Sequence, residues 1–448
     1  MHGKTYIFLL IILLGASFAC TPRHFTEEAG YPPIFPDYIG VTVPEGIAPL
    51  KFRMADGRRF LAERRREGDT LWTTVSAWRR GERKGVRYAP FPILVSPDPI
   101  DPYVAYRLIE PGYESWRNMG IYQRELSSYD ERAVVTNQAN NLGCVNCHTF
   151  DQGSPERMLF HARGEGGGTV FVDGDQVRIR NLADIGPNRQ GTYPAWHPEG
   201  RYVAFSANTT RQCFTIRHDQ PVEVYDTDSD LILYDTAVDS VRMLVETKES
   251  LETFPAWSPD GKTLYWCQAV DPGRIPASRG QVHYRLMAAP FEDGGLAGEP
   301  RVVWGDDSTS VSFPRVNGHW LLFTAADFGT FPIWHKEADL MLLDLADGTV
   351  RRVDELNSDD TESYHSWSSG GHWVVFSSRR IDGRYTRLFL SHFDGEGNFS
   401  KPFLLPQEDP GFNQLRLKSY NIPEFVKGPV PDRQDAIAGL FPKKEDAQ

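Results

Sequence analysis

An all-β chain is what the sequence predicts: a β-propeller of five to six blades, six favoured, preceded by a small β-rich N-terminal domain. Three observations carry this. A segment built as aromatic-Pro-x-Trp, a Gly-containing turn and an apolar strand starts at Tyr193 and Phe254, and recurs in weaker form at Phe313 and Tyr364. Units of four strands repeated at a fixed period are how a propeller presents itself in sequence. The composition agrees: 39 Gly, 32 Pro and 12% aromatic residues suit many short strands joined by tight turns. Finally, from about residue 38 to 140 no long run of period 3.6 competes with the short β-type runs.

Taken in order, residues 1–19 carry His2 and Lys4 ahead of an apolar run over about 6–14, then small residues leading to Cys20. That is a secretory signal. The Ala19-Cys20 junction points to a lipoprotein signal, with Cys20 as the lipidated first residue of the mature chain; ordinary cleavage is the alternative. An acyl anchor would hold the protein to a membrane, the outer membrane by preference, without spanning it. No other run approaches the ~20 apolar residues that a spanning helix needs. Residues 20–36 are polar and proline-interrupted, a tether between lipid and fold. Residues 37–140 hold short β-type runs near 39–43, 71–78, 91–95 and 103–109, the expected N-terminal domain. Its basic run from Arg58 to Arg87 is either a docking patch for an acidic redox partner or lipid headgroups, or a solvated strand face balanced by Glu63, Glu67 and Glu82. The second reading is preferred. The aromatic stretch 113–122 either borders a cofactor or belongs to the core.

Residues 141–152 contain Cys144-Val145-Asn146-Cys147-His148, a C-x-x-C-H pattern. In an exported chain this attaches one covalent c-type haem. Two thiols one helical turn apart reach two vinyl groups, and the adjacent imidazole, here His148, binds the iron from the proximal side. A redox-active disulfide would want a βαβ context that is missing here. A zinc site would need two further ligands, and a structural disulfide would close a short, strained loop. Cys213 and Cys267 remain, either bridged or as buried free thiols.

From residue 153 the repeats begin. Trp196, Trp257, Val316 and Trp367 mark successive units 51 to 61 residues apart. The aromatic-Pro-x-Trp-Ser-Pro-Asp-Gly-Lys pattern of 254–262 resembles the TolB-like, WD40-like propeller repeats of bacterial envelope proteins. The resemblance covers roughly 153–410. It implies a platform for interaction with other proteins, and often six blades. Four good repeats and an atypical first one leave a sixth blade to be closed by 415–426 or by N-terminal strands. Residues 427–448 are expected as a polar tail.

The atypical unit follows the haem motif directly. Its second strand aligns His161 with Ser206, Cys267, Thr324 and Ser377, and Met158 with Val203, Leu264, Leu321 and Val374. A large imidazole where the other blades keep smaller side chains makes His161 the first choice for the sixth iron ligand. Met158 is second, and Met119 or an open position remains. A bis-His iron would tend to a lower potential than His/Met. Arg163, in the Gly-rich 163–168 stretch, could pair with a haem propionate; a hairpin turn explains that stretch better than an anion cradle. His197, His365 and His372 sit in repeat turns as structural or solvated residues. Asp306-Asp307 and Asp359-Asp360 look like surface pairs.

A net charge of −12 argues against nucleic acid as a partner. The expected function is electron transfer or redox sensing by an exported, lipid-anchored mono-haem protein of the periplasm or cell envelope, working with a redox partner or envelope protein. The alternatives are a propeller platform that binds protein, peptide or glycan with a structural haem, and an enzyme acting at an open haem position or in the propeller funnel. The balance leans away from an enzyme.

Overall fold

The computed structural model describes residues 24–110, 118–187, 189–216, 220, 222–273 and 277–442. The signal, Cys20, residues 113–117 of the aromatic stretch and residues 443–448 lie outside them. No helix among the described residues is long and apolar enough to cross a membrane.

Six antiparallel sheets, five of them four-stranded and the third five-stranded, form a six-bladed β-propeller. We number the blades along the chain. The first has Val145–Phe150 as its innermost strand, followed by Arg157–Ala162, Gly168–Asp173 and Gln176–Arg180. Blades two to five have Thr192–Trp196, Ser250–Trp257, Ser310–Asn317 and Glu362–Trp367 innermost. The sixth is the closing blade. Tyr103–Ile109, Gly120–Glu125 and Glu131–Thr136 supply its outer strands, and the C-terminal Ser419–Val426 is its innermost. Both sources considered for closure are therefore used, one from each end of the chain.

The repeated residues have physical reasons. Every innermost strand carries a bulge, and the residue inside it has positive φ: Cys147, Tyr193, Phe254, Phe313, Tyr364 and Ile422, all between 45° and 53°. This left-handed conformation is unfavourable for a residue with a Cβ. Four blades follow it with proline, which suits a bulge where no ladder N–H is needed; blades one and five use His148 and His365. Two of the repeat tryptophans clasp the preceding blade: Trp257 Nε1 donates to the Ala195 carbonyl (3.0 Å) and Trp367 Nε1 to that of Arg315 (3.1 Å). Apolar clusters fill the gaps between blades, as where Leu231 and Leu233 of blade two meet Trp257, Leu264 and Trp266 of blade three.

The N-terminal stretch differs from its expected boundaries. The segment 37–140 divides, because 103–136 belong to the closing blade. What remains is a separate sheet of Thr42–Pro44, Arg59–Glu67, Thr70–Trp78, Lys84–Tyr88 and Phe91–Ser96, joined in parallel by His24–Glu28. The expected tether thus contains a strand. Its polarity is that of an edge strand, since all of His24–Glu28 except Phe25 is exposed. Part of the basic run lies on the exposed strand Arg59–Glu67, and the run is balanced by acids: Arg65 pairs with Glu67 (2.7 Å), Arg87 of the strand Lys84–Tyr88 with Glu63 (3.2 Å) and Arg66 with Glu45 (2.8 Å). Such exposed pairs contribute little to stability. The expected polar tail also packs in part: Val430, Ile437 and Phe441 are buried in the cluster between blade one and the closing blade.

Candidate functional site

The six positive-φ side chains meet on the propeller axis. Tyr193, Phe254, Phe313 and Tyr364 pack ring to ring, with successive centroids 4.6, 4.1 and 4.9 Å apart. Cys147 and Ile422 occupy the two remaining places. The C-x-x-C-H motif is thus part of the repeat, with Cys147-His148-Thr149-Phe150 standing where Tyr193-Pro194-Ala195-Trp196 stands in blade two. Sequence reasoning missed this equivalence, although the spacing from Phe150 to Phe160 nearly repeats that from Trp196 to Phe205.

On one side of this aromatic plug the axis opens into a cavity of about 420 Å³. Cys147 and His148 line it, together with Arg315 and Glu424. These two are the charged members of one ring position, and both are half-buried. Glu424 accepts hydrogen bonds from Thr149 Oγ1 (3.0 Å) and the Phe150 amide (3.1 Å), and burial pushes its carboxyl up to about 7. A carboxyl raised above its unfolded value keeps its proton in the fold, so stability falls as pH rises from the ordinary carboxylate range through 7. Glu424→Gln should therefore flatten the decline in Tm between pH 5 and 8, measured by thermal melts of both proteins across that range.

The motif itself shows a sharp contrast between blades. His365, at the same repeat position in blade five, has Nε2 2.9 Å from the Leu322 carbonyl of blade four. His148 is buried and neither ring nitrogen has a partner among the described residues. Burial lowers its pKa to about 3, helped by the Arg107 guanidinium, so the imidazole is neutral with a lone pair free. His161 is also buried, its Nδ1 has no partner among the described residues, and burial with the Arg163 charge lowers it to about 4. Ser206, its counterpart in blade two, uses its hydroxyl to accept from the Phe254 amide at 2.9 Å. Buried polar atoms left without partners are rare and ask for a ligand or another explanation.

Cys144 and Cys147 are buried free thiols, and Cys213 and Cys267 are free as well. Burial pushes the Cys144 thiol up, with Arg107 and Arg163 pulling against it. That is the reverse of the lowered pKa of an attacking redox thiol. Arg163 stands beside Cys144: its amide donates to the Cys144 carbonyl (2.8 Å), and Asn140 Nδ2 reaches both carbonyls (3.3 and 3.2 Å). The Gly-rich stretch after it is a hairpin turn, closed between Ala162 and Gly168. Arg107, which sequence reasoning did not single out, pairs with Asn421 as His161 pairs with Asn146. It completes the column of His161, Ser206, Cys267, Thr324 and Ser377.

Against the expected haem, the donor chemistry fits: two free thiols, then a neutral imidazole with no internal partner. The backbone differs. Val145–Phe150 is an extended strand, so the two thiols are not one helical turn apart. Nor are the two histidines brought together. His148 lies edge-on to Phe150 (centroids 6.2 Å), which packs with Met158, Phe160 and Ala105 on the closing-blade side of the sheet. His161 alternates with Phe160 and shares the face of Leu159, which packs against blade two. Met158, buried in the cluster, and Met119, whose Sδ accepts from the Val145 amide at 3.2 Å, lie on the His148 side. Of the other histidines, His197 Nε2 bonds the Gly261 carbonyl at 3.0 Å and is structural. Asp306 caps its own turn through Ser308.

No protein-family model matches the chain, and no curated protein matches it. Among solved structures it is similar to TolB from Acinetobacter baumannii, at 12% identity over 82% of this chain and 83% of that one, with a TM-score of 0.44. An oligogalacturonate lyase in complex with manganese gives 12% identity, 80% and 74% coverage and a TM-score of 0.39. The nidogen/laminin complex gives 11%, 67% and 96%, and 0.41. These likenesses bear on the fold alone.

Proposed function

We propose that the protein is an exported, lipid-anchored mono-haem c-type protein of the cell envelope that transfers electrons or senses redox state. The observation carrying this is the unpartnered, neutral imidazole of His148, which follows two free buried thiols in the chain, set against its hydrogen-bonded counterpart His365. Cys144 and Cys147 would hold the haem through thioethers and His148 would ligate the iron; Arg163 and Arg107 are the nearby cations for its propionates. The haem supplies one-electron chemistry, while the protein keeps the ligand neutral and dry. Seating it requires the motif to leave its extended register. The leader at 1–19 and the Cys20 anchor support an envelope location, by preference at the outer membrane.

For the sixth ligand, the side of the sheet that His148 faces favours Met158 or Met119 over His161. In haem-loaded protein, Met158→Leu or Met119→Leu should remove the weak charge-transfer band of a thioether–iron bond, and His161→Ala should leave it. A low-spin spectrum lost in His161→Ala alone overturns that ordering. The proposal as a whole is tested by a pyridine haemochrome spectrum of mature protein made with a c-type maturation system. One covalent haem per chain is expected, and a colourless chain would refute it.

A second reading rests on the axial cavity, whose cation and carboxyl over an aromatic floor suit a small polar ligand or a peptide end. In that reading the propeller is a binding platform for an envelope protein, peptide or glycan, and any haem is structural.

A further inference from the structure

A cluster away from the axis joins two parts of the fold that sequence separates by almost 300 residues. Asp98 lies on the link from the N-terminal sheet to the closing blade. His372 and His392 lie on blade five, where His392 pairs with Trp373 next to His372. One ligand atom from each of the three falls within 4.8 Å of the others, and all three residues are half-buried.

The details favour metal ligation over a simple ion pair. His392 Nε2 stands 2.6 Å from Asp98 Oδ2, and Ser96 Oγ is 3.1 Å from both atoms. The two imidazoles are nearly parallel, 13° apart with centroids at 6.3 Å. His372 Nδ1 is 3.2 Å from the Phe393 carbonyl. Donating there fixes the tautomer that leaves Nε2 with its lone pair, which is the outer contact a ligating histidine usually has. Nitrogen and oxygen donors about 2.0–2.2 Å from a zinc ion lie roughly 3.3–3.5 Å from one another. The Asp98–His392 contact would open by less than about 1 Å to reach this.

We propose that Asp98, His372 and His392 form a three-ligand site for a divalent transition ion of the zinc class. It pins the exit of the N-terminal sheet to blade five and leaves a fourth position for water or the Ser96 hydroxyl. His392 would carry its proton on Nδ1 and offer Nε2 to the metal. The site involves no residue of the C-x-x-C-H motif and stands or falls independently of the haem.

The test is titration of chelator-treated, mature full-length protein with Co²⁺, followed by displacement with Zn²⁺. One equivalent should bind, giving the visible bands of a low-coordinate nitrogen/oxygen site without a thiolate charge-transfer band. His372→Asn and His392→Asn should each weaken binding at least about tenfold, while His197→Asn, outside the cluster, should not. Should either variant fold poorly, Asp98→Asn serves instead: it keeps the hydrogen-bonding shape, and should melt like the wild type without Zn²⁺ yet lose the Zn²⁺-induced rise in Tm. Binding that survives all three substitutions, a thiolate band, or no binding by wild type would each overturn the proposal.

Discussion

Replacing Cys144 and Cys147 with alanine together is expected to abolish covalent haem, leaving a colourless chain that still folds as a propeller. Each thioether is a covalent bond, so the loss is all-or-none for attachment. The fold should survive because neither residue carries much of the core. Cys144 precedes the strand, and Cys147 occupies one of six places around an axial plug whose four aromatic members pack on one another. The cost of Cys147→Ala is that of a small buried side chain, about 1–2 kcal/mol, against a net stability of about 5–15 kcal/mol. Haemochrome spectroscopy on unfolded protein and circular dichroism on native protein separate the two effects. Single variants should retain haem through one thioether and show a shifted haemochrome band. Wild type and double variant with identical haem content would mean that the thiols are not the attachment points.

The double variant also bears on why the motif lies on a strand. On the proposed function its residues would serve two patterns at once. The repeat has a positive-φ residue on the axis, then proline or histidine, then, in every blade but the fourth with its Val316, an aromatic residue two further on, and Cys147, His148 and Phe150 fit that pattern. The proposed haem would demand thiols and an imidazole on one surface. In the sequence the second pattern is conspicuous and hides the first. The aromatic-Pro-x-Trp signature announced blades two and three, and its weaker copies announced four and five. Blade one went unmatched in its inner strand because cysteine and histidine replace the aromatic-proline pair.

The closing blade was legible only as two alternative sources, for a different reason. The signature spans an inner strand, a turn and a second strand, and in this blade the turn does not exist. Tyr420-Asn421-Ile422-Pro423-Glu424-Phe425 carries the inner-strand half at one end of the chain, and 103–109 carries the second strand at the other. Only tertiary pairing brings them together. The Asp98–His372–His392 cluster is equally invisible in sequence, since neither local pattern nor spacing links a connecting segment to blade five. Composition and periodicity report what a residue does within its own unit, whereas sites made between units appear only once the units are packed.

Removing residues 419–448 is expected to destroy cooperative folding. Ser419–Val426 pairs along Tyr103–Ile109 and buries Tyr420, Phe425 and Val426, each at most 3% exposed. At about 1.5–3 kcal/mol for each large apolar side chain, their loss amounts to about 5–9 kcal/mol, comparable to the whole net stability of a domain. Polar contacts go too: Ser377 Oγ and Thr386 Oγ1 both donate to the Tyr420 carbonyl (2.8 and 2.7 Å), and Glu424 ties the strand to blade one. The strand thus holds blade five, the closing blade and blade one. Without it, Tyr103–Ile109 becomes an open edge able to pair with another chain, so aggregation should accompany the loss of a sharp melt. Truncation after Lys427 is the control. It removes Val430, Ile437 and Phe441 from the neighbouring cluster but spares the closing strand, so it should lower Tm while keeping a single transition. Supplying 419–448 in trans should restore a cooperative melt to the longer deletion, because the missing piece is one strand with its register already set by Tyr103–Ile109. A chain ending at residue 418 that melts like the full-length protein would show that the ring is closed by contacts other than this strand.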